Sequence, residues 1–139
     1  MYQVSRSGKG RYIGVIIAKD TRHGLLFVPR LHGLTPGYHG FHLHQNPSCK
    51  NYGKAAGPHW DPTDTKRHRG PYRHGHKGDL PFLYVNKAGF AKHAVIAPHL
   101  KLSDLKGHAL IIHQGGDNYT DHPENGGGGA RVACGVIDF

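Results

Sequence analysis

Apolar residues occur along this chain in short runs, each ended by glycine, proline, asparagine or charge. Arg11-Tyr12-Ile13-Gly14-Val15-Ile16-Ile17-Ala18 and Leu25-Leu26-Phe27-Val28 read as two strands. Between them Lys19-Asp20-Thr21-Arg22-His23-Gly24 has turn chemistry, so the pair is expected as a hairpin. Tyr38 to His44, Phe82 to Val85, His93 to Ile96, Ala109 to His113 and Val132 to Ile137 supply further β-rich runs. With an edge strand from Met1 to Ser7 the count reaches about eight, enough for a sandwich or Greek-key barrel, and the fold class is all-β. Helical periodicity is not sustained anywhere; Ser103-Asp104-Leu105-Lys106 suits a single turn. No apolar run approaches the roughly 20 residues that span a bilayer, so no membrane partner is expected.

Composition supports this picture. The 139 residues fit one domain, residues 1–139, and 21 glycines with 9 prolines in a chain only 37% hydrophobic call for many turns. Lysine and arginine number 18 against 9 acidic residues, a net charge of +9. Such an excess suits a polyanion, but the cations are scattered and not interleaved with aromatics, and only Lys66-Arg67-His68-Arg69 is dense. A nucleic-acid partner is therefore disfavoured, and a small anion fits the charge better.

Fourteen histidines change the reading from scaffold to chemistry. In Gly40-Phe41-His42-Leu43-His44 two imidazoles stand at i and i+2, which places both on one face of a strand. The segment between His44 and Leu80 is too long for a hairpin connection and needs something to hold it. It carries His59, His68, His76 and Asp79; three imidazoles and a carboxylate make a tetrahedral zinc set, and ligation would offset the entropy of ordering the loop. A second long loop runs from His113 to Arg131.

Several stretches occur together and in order: Gly40 to His44, Gly57-Pro58-His59-Trp60-Asp61-Pro62, the His68, His76 and Asp79 series, Ile112 to Asn118, and Gly126 to Ile137. In these the chain resembles the copper/zinc superoxide dismutases of bacteria over nearly its whole length. The resemblance implies a flattened eight-stranded Greek-key barrel with two long metal-site loops. It implies dismutation of superoxide to oxygen and hydrogen peroxide by a cycling copper ion. Copper would take His42, His44, His59 and His113, and zinc would take His59, His68, His76 and Asp79, with His59 bridging the two ions. Four nitrogens in a flattened array suit Cu(II), and a tetrahedron with a carboxylate suits Zn(II). His74 is passed over because only His76 stands three residues before an aspartate.

The resemblance further implies that Asp117 links His42 to His68, that Arg131 guides the superoxide anion, and that His59 delivers a proton to departing peroxide. It pairs Cys49 with Cys134 in a disulfide, which in the chain-entropy model would contribute about 4 to 5 kcal/mol. An oxidising compartment follows, periplasmic or secreted, with the cytosol as the alternative. A homodimer is expected, with a monomer as the alternative because the stretch from Cys49 to His59 is short. The run Gly126 to Gly129 is expected where loop and neighbouring backbone pass closely. His23, His32, His39, His74, His93, His99, His108 and His122 remain as surface or packing residues, with adventitious metal or haem binding by clusters among them as a further expectation. Two competing functions use the same residues: a non-catalytic copper/zinc carrier, and a polyanion-binding β module with structural metals.

Overall fold

Strand β5 (Phe41–His44) shows how the pattern becomes architecture. Phe41 and Leu43 are fully buried in the main apolar core, while the alternate residues His42 and His44 occupy the opposite face. The computed structural model describes residues 1–137. Within them lie nine strands: β1 (Tyr2–Gln3), β2 (Gly14–Thr21), β3 (Gly24–Leu31), β4 (Gly37–His39), β5, β6 (Leu83–Val85), β7 (Val95–Ala97), β8 (Ala109–His113) and β9 (Arg131–Val136). Pairing is antiparallel throughout. The sheets are β1-β9-β8-β5, β2-β3-β7 and the small ribbon β4-β6. Helical content among the described residues is confined to 3-10 turns at Lys54–Ala56, Leu102–Leu105 and Glu124–Gly127.

The expected hairpin forms, but with a tighter turn. β2 and β3 pair in register from Gly14↔Leu31 to Thr21↔Gly24, leaving Arg22 and His23 as a two-residue connection. The polar residues Lys19 to Thr21 belong to β2 because it pairs with one neighbour only, and its outer face, including Val15 and Ile17, is exposed. The expected strand from Tyr38 to His44 is broken at Gly40, so β4 pairs with β6 while β5 pairs with β8. The anticipated N-terminal edge strand contracts to Tyr2 and Gln3, paired with Cys134 and Ala133.

β8 reads as a continuous apolar run because both its faces are covered. Leu110 and Ile112 join the main core, whereas Ala109 and Ile111 pack with Cys49, Ala56 and Cys134 in a second cluster under the long loop. Each leucine or isoleucine so buried contributes about 1.5 to 3 kcal/mol. A disulfide joins Cys49 to Cys134 within this second cluster and so ties the loop to β9.

The loop is also held by backbone. β8 covers one edge of β5; on the other edge Trp60 N–H donates to the Leu43 carbonyl at 2.8 Å, Leu43 N–H to Gly78 at 2.8 Å, and Gly78 N–H to Trp60 at 2.9 Å. These bonds complete an otherwise unpaired strand edge and set two bridges, His44 to His59 and His42 to Asp79. Ordering of the loop therefore does not rest on ligation alone.

Candidate metal centre

Strand, edge pairing and sheet register converge on one side of β5. His42 and His44 come from β5, His59 and Asp79 from the loop segments docked on its edge, and His113 from the end of β8. One ligand atom from each of His42, His44, His59 and His113 lies within 4.8 Å of the others, and the same holds for His42, His59, His68 and Asp79. All six residues are buried.

The first group is defined by what its rings do with each nitrogen. His44 Nδ1 donates to the Gly57 carbonyl at 2.8 Å, and His113 Nδ1 donates to Gly129 at 3.0 Å. His42 uses Nε2 on Asp117 Oδ2 at 2.7 Å. The remaining atoms, His42 Nδ1 and the Nε2 atoms of His44, His59 and His113, are buried without a hydrogen-bond partner. Four orphaned ring nitrogens at this spacing would carry a desolvation penalty for each lone pair; a cation among them removes it. Burial lowers His44 to about 2 and His113 to about 4, and it holds His42 well below its ordinary range. These rings are neutral at physiological pH, the form that ligates a metal.

The second group is built around a carboxylate. Asp79 Oδ1 accepts from His59 Nδ1 at 2.8 Å, and Asp79 Oδ2 lies 2.8 Å from His68 Nδ1. That second contact is close but misdirected as a hydrogen bond, since both atoms lack an aligned partner. Two ligand atoms turned toward a common point give this geometry. Burial alone would raise Asp79, but the imidazoles of His59, His68 and His76 crowded against it outweigh burial and hold the carboxylate far below its usual range. Burial likewise pushes His68 down, while Asp117 and Asp79 together raise it to about 9. A zinc ion would displace that proton.

His76 stands slightly apart from this tight set. Its Nδ1 is 3.3 Å from both oxygens of Asp79, and its side chain retains 13% exposure. His42, rather than His76, completes the second tight group, so the expected fourth donor lies beside that cluster and not within it. His74 faces elsewhere, exposed and stacked on His99.

Asp117 joins the two groups. Its Oδ2 accepts from His42 Nε2 at 2.7 Å and its Oδ1 from His68 Nε2 at 2.8 Å. Gly126, at φ 78°, explains the glycine run: a Cβ there would land on Asp117 Oδ1 and stand 2.9 Å from His68 Nε2. Arg131 faces His113 across a register shift between β8 and β9. Its Nη1 donates to the Gly53 carbonyl and its Nη2 to Gly57, both at 2.7 Å. The Gly57 carbonyl thus holds both Arg131 and His44, and the guanidinium helps to depress His44 and His113.

The structure adds one positioning residue that sequence reasoning set aside. His39 is buried, with Nδ1 2.7 Å from the His113 carbonyl and Nε2 2.6 Å from that of Thr35. It fixes the backbone of a candidate ligand 74 residues away. Nothing in its spacing distinguishes it from the other spare histidines.

A family model described as copper/zinc superoxide dismutase matches residues 13–137. The Salmonella typhimurium protein named superoxide dismutase [Cu-Zn] 1 is 57% identical over 143 residues, covering 95% of this chain and 81% of the relative. Among solved structures, the Cu/Zn superoxide dismutase from Brucella abortus superposes with a TM-score of 0.93 at 48% identity, covering 99% of this chain and 96% of that one. The monomeric copper, zinc superoxide dismutase from Salmonella enterica, solved in solution, gives 0.86 at 47% identity, with coverage of 99% and 96%.

Proposed function

This chain belongs to the copper/zinc superoxide dismutase family, bacterial type, and from that premise we propose that His42, His44, His59 and His113 hold its copper while His59, His68, His76 and Asp79 hold its zinc. The activity is the dismutation of superoxide to oxygen and hydrogen peroxide, with copper and zinc as cofactors. The observation that carries the residue assignment is the set of four converging, unpartnered ring nitrogens beside an ionised Asp79.

When bound, copper supplies reversible one-electron chemistry and zinc a fixed positive charge on the far side of His59. Arg131, clamped by two carbonyls and half-buried, attracts the superoxide anion and orients it. His59 Nε2, buried and without a partner, is the atom that would hold a proton and pass it to departing peroxide. Asp117 keeps His42 and His68 oriented, which fixes both pockets at once.

All seven ligands and Arg131 come from one chain, which supports a catalytically complete subunit in a single domain, residues 1–139, whether or not it forms the expected homodimer. The Cys49–Cys134 disulfide and the bacterial relatives support a periplasmic location. The test is superoxide consumption by protein loaded with both metals, together with its copper EPR spectrum. Rapid consumption with a four-nitrogen copper signal is expected. The same signal without consumption would make the protein a carrier, and a signal lacking nitrogen ligands would overturn the assignment.

A further inference from the structure

β3 and β7 pair at Leu25 to Phe27, and β3 meets the segment before β7 at the Leu31↔Ala91 bridge, where each residue's N–H donates to the other's carbonyl at 3.1 Å. Residues 27, 29 and 31 present their backbone to the same neighbour, and position 29 is proline, with no N–H to offer. Residues 92–94 leave the ladder opposite it. The sheet opens there into a groove of about 410 Å³, within the range of small-ligand pockets.

The lining has two chemistries. Val28, Pro29 and Phe90 make an apolar floor, with Phe90 39% exposed. Arg30, His32 and Lys92 line the same groove and are exposed, and no carboxylate lines it. Lys92 Nζ sits 4.8 Å over the Phe90 ring, so the cation stays beside the apolar surface. Among the described residues neither Arg30 nor Lys92 forms a salt bridge. None of the residues assigned to the metals lines the groove, and the dismutation reading does not depend on it.

We propose that this groove binds a small amphipathic monoanion, an aromatic or aliphatic carboxylate, with its apolar body on Phe90 and Pro29 and its charge between Arg30 and Lys92. Charge complementarity selects the anion, and the donor-free proline floor selects an apolar body.

The test titrates octanoate, and separately octan-1-ol, into protein loaded with both metals, followed by calorimetry and by amide NMR of the zinc- and copper(I)-loaded form. Saturable binding of octanoate with shifts confined to residues 28–32 and 90–94 is expected, and octan-1-ol should bind much more weakly. The exposed double variant Arg30→Ala/Lys92→Ala should weaken octanoate by about tenfold or more while dismutation is unchanged. Absence of saturable octanoate binding, equal binding of the alcohol, or wild-type affinity in the double variant would overturn the proposal.

Discussion

The inward nitrogens of His44 and His113 meet no hydrogen-bond partner, whereas on the other side of His59 three rings crowd around the ionised Asp79. One pocket is a set of neutral imidazoles with depressed values; the other is a charged cluster in which His68 is raised to about 9. Before any ion binds, the proposed zinc pocket already balances its charge internally, while the proposed copper pocket leaves lone pairs uncompensated. The proposed division of the two metals rests on that difference. A flattened nitrogen-only array suits Cu(II), and an array with an anionic oxygen suits Zn(II).

The comparison is broken most severely at Asp79. Asp79→Ala leaves His59, His68 and His76 without their counter-charge, so zinc binding should be lost and the metal-free fold should lose about 3 to 5 kcal/mol. Denaturant unfolding and metal analysis check both. His113→Ala, on the opposite side, should abolish tight copper binding yet leave zinc uptake near wild type. Equal effects of the two variants on both metals would show that the pockets are not separable.

Asp117 tests the link between them. Asp117→Asn preserves shape but removes the charge shared by His42 and His68, and each metal affinity should fall about 10- to 100-fold by competitive chelation. An effect on only one metal would reduce Asp117 to a support for that pocket. Arg131→Leu acts on the copper side alone: dismutation should fall by roughly tenfold and lose much of its salt dependence, with metal content unchanged. Unaltered salt-sensitive kinetics would remove Arg131 from the mechanism.

The most gradual effect is on pH. In chelator-treated protein His44 and His113 lie below their ordinary 6.5, so their contribution to stability is present above that value and is lost as pH falls toward about 2 for His44 and about 4 for His113. His68 is raised, so its contribution is complete below 6.5 and is lost as pH rises through about 9. The free energy of unfolding should peak near neutrality and fall on both sides, by at most about 1.4 kcal/mol per pH unit for each group in its own window, as denaturant unfolding across pH would show. His113→Ala should flatten the acid limb and spare the alkaline one.

Much of the barrel was legible because alternation and turn residues act locally. The β2–β3 hairpin was placed correctly, although its turn is two residues rather than six, since strand pairing carries polar Lys19 to Thr21 along with it. The break at Gly40 was not legible; it depends on which strand lies opposite each half, and β6 is 44 residues further along the chain from β4. For the site, the types and spacing of His42, His44, His59, His68, His76 and Asp79 were sufficient to suggest two ions. The second clamp on the long loop, the backbone pairing of Trp60 and Gly78 with Leu43, carries no residue signature because any amide can make it.

By itself the amino-acid order determined the donor set: which side chains can ligate, which face of β5 they share, and a positive charge that favours an anionic substrate. Those properties belong to single residues or near neighbours, and chain order preserves them. Tertiary structure alone decided which nitrogen of each ring turns inward and that Gly57 holds both His44 and Arg131. It also decided that His39 braces His113 from 74 residues away. Each of these is a hydrogen bond between segments that meet only after the sheets have packed, so no local pattern can encode it.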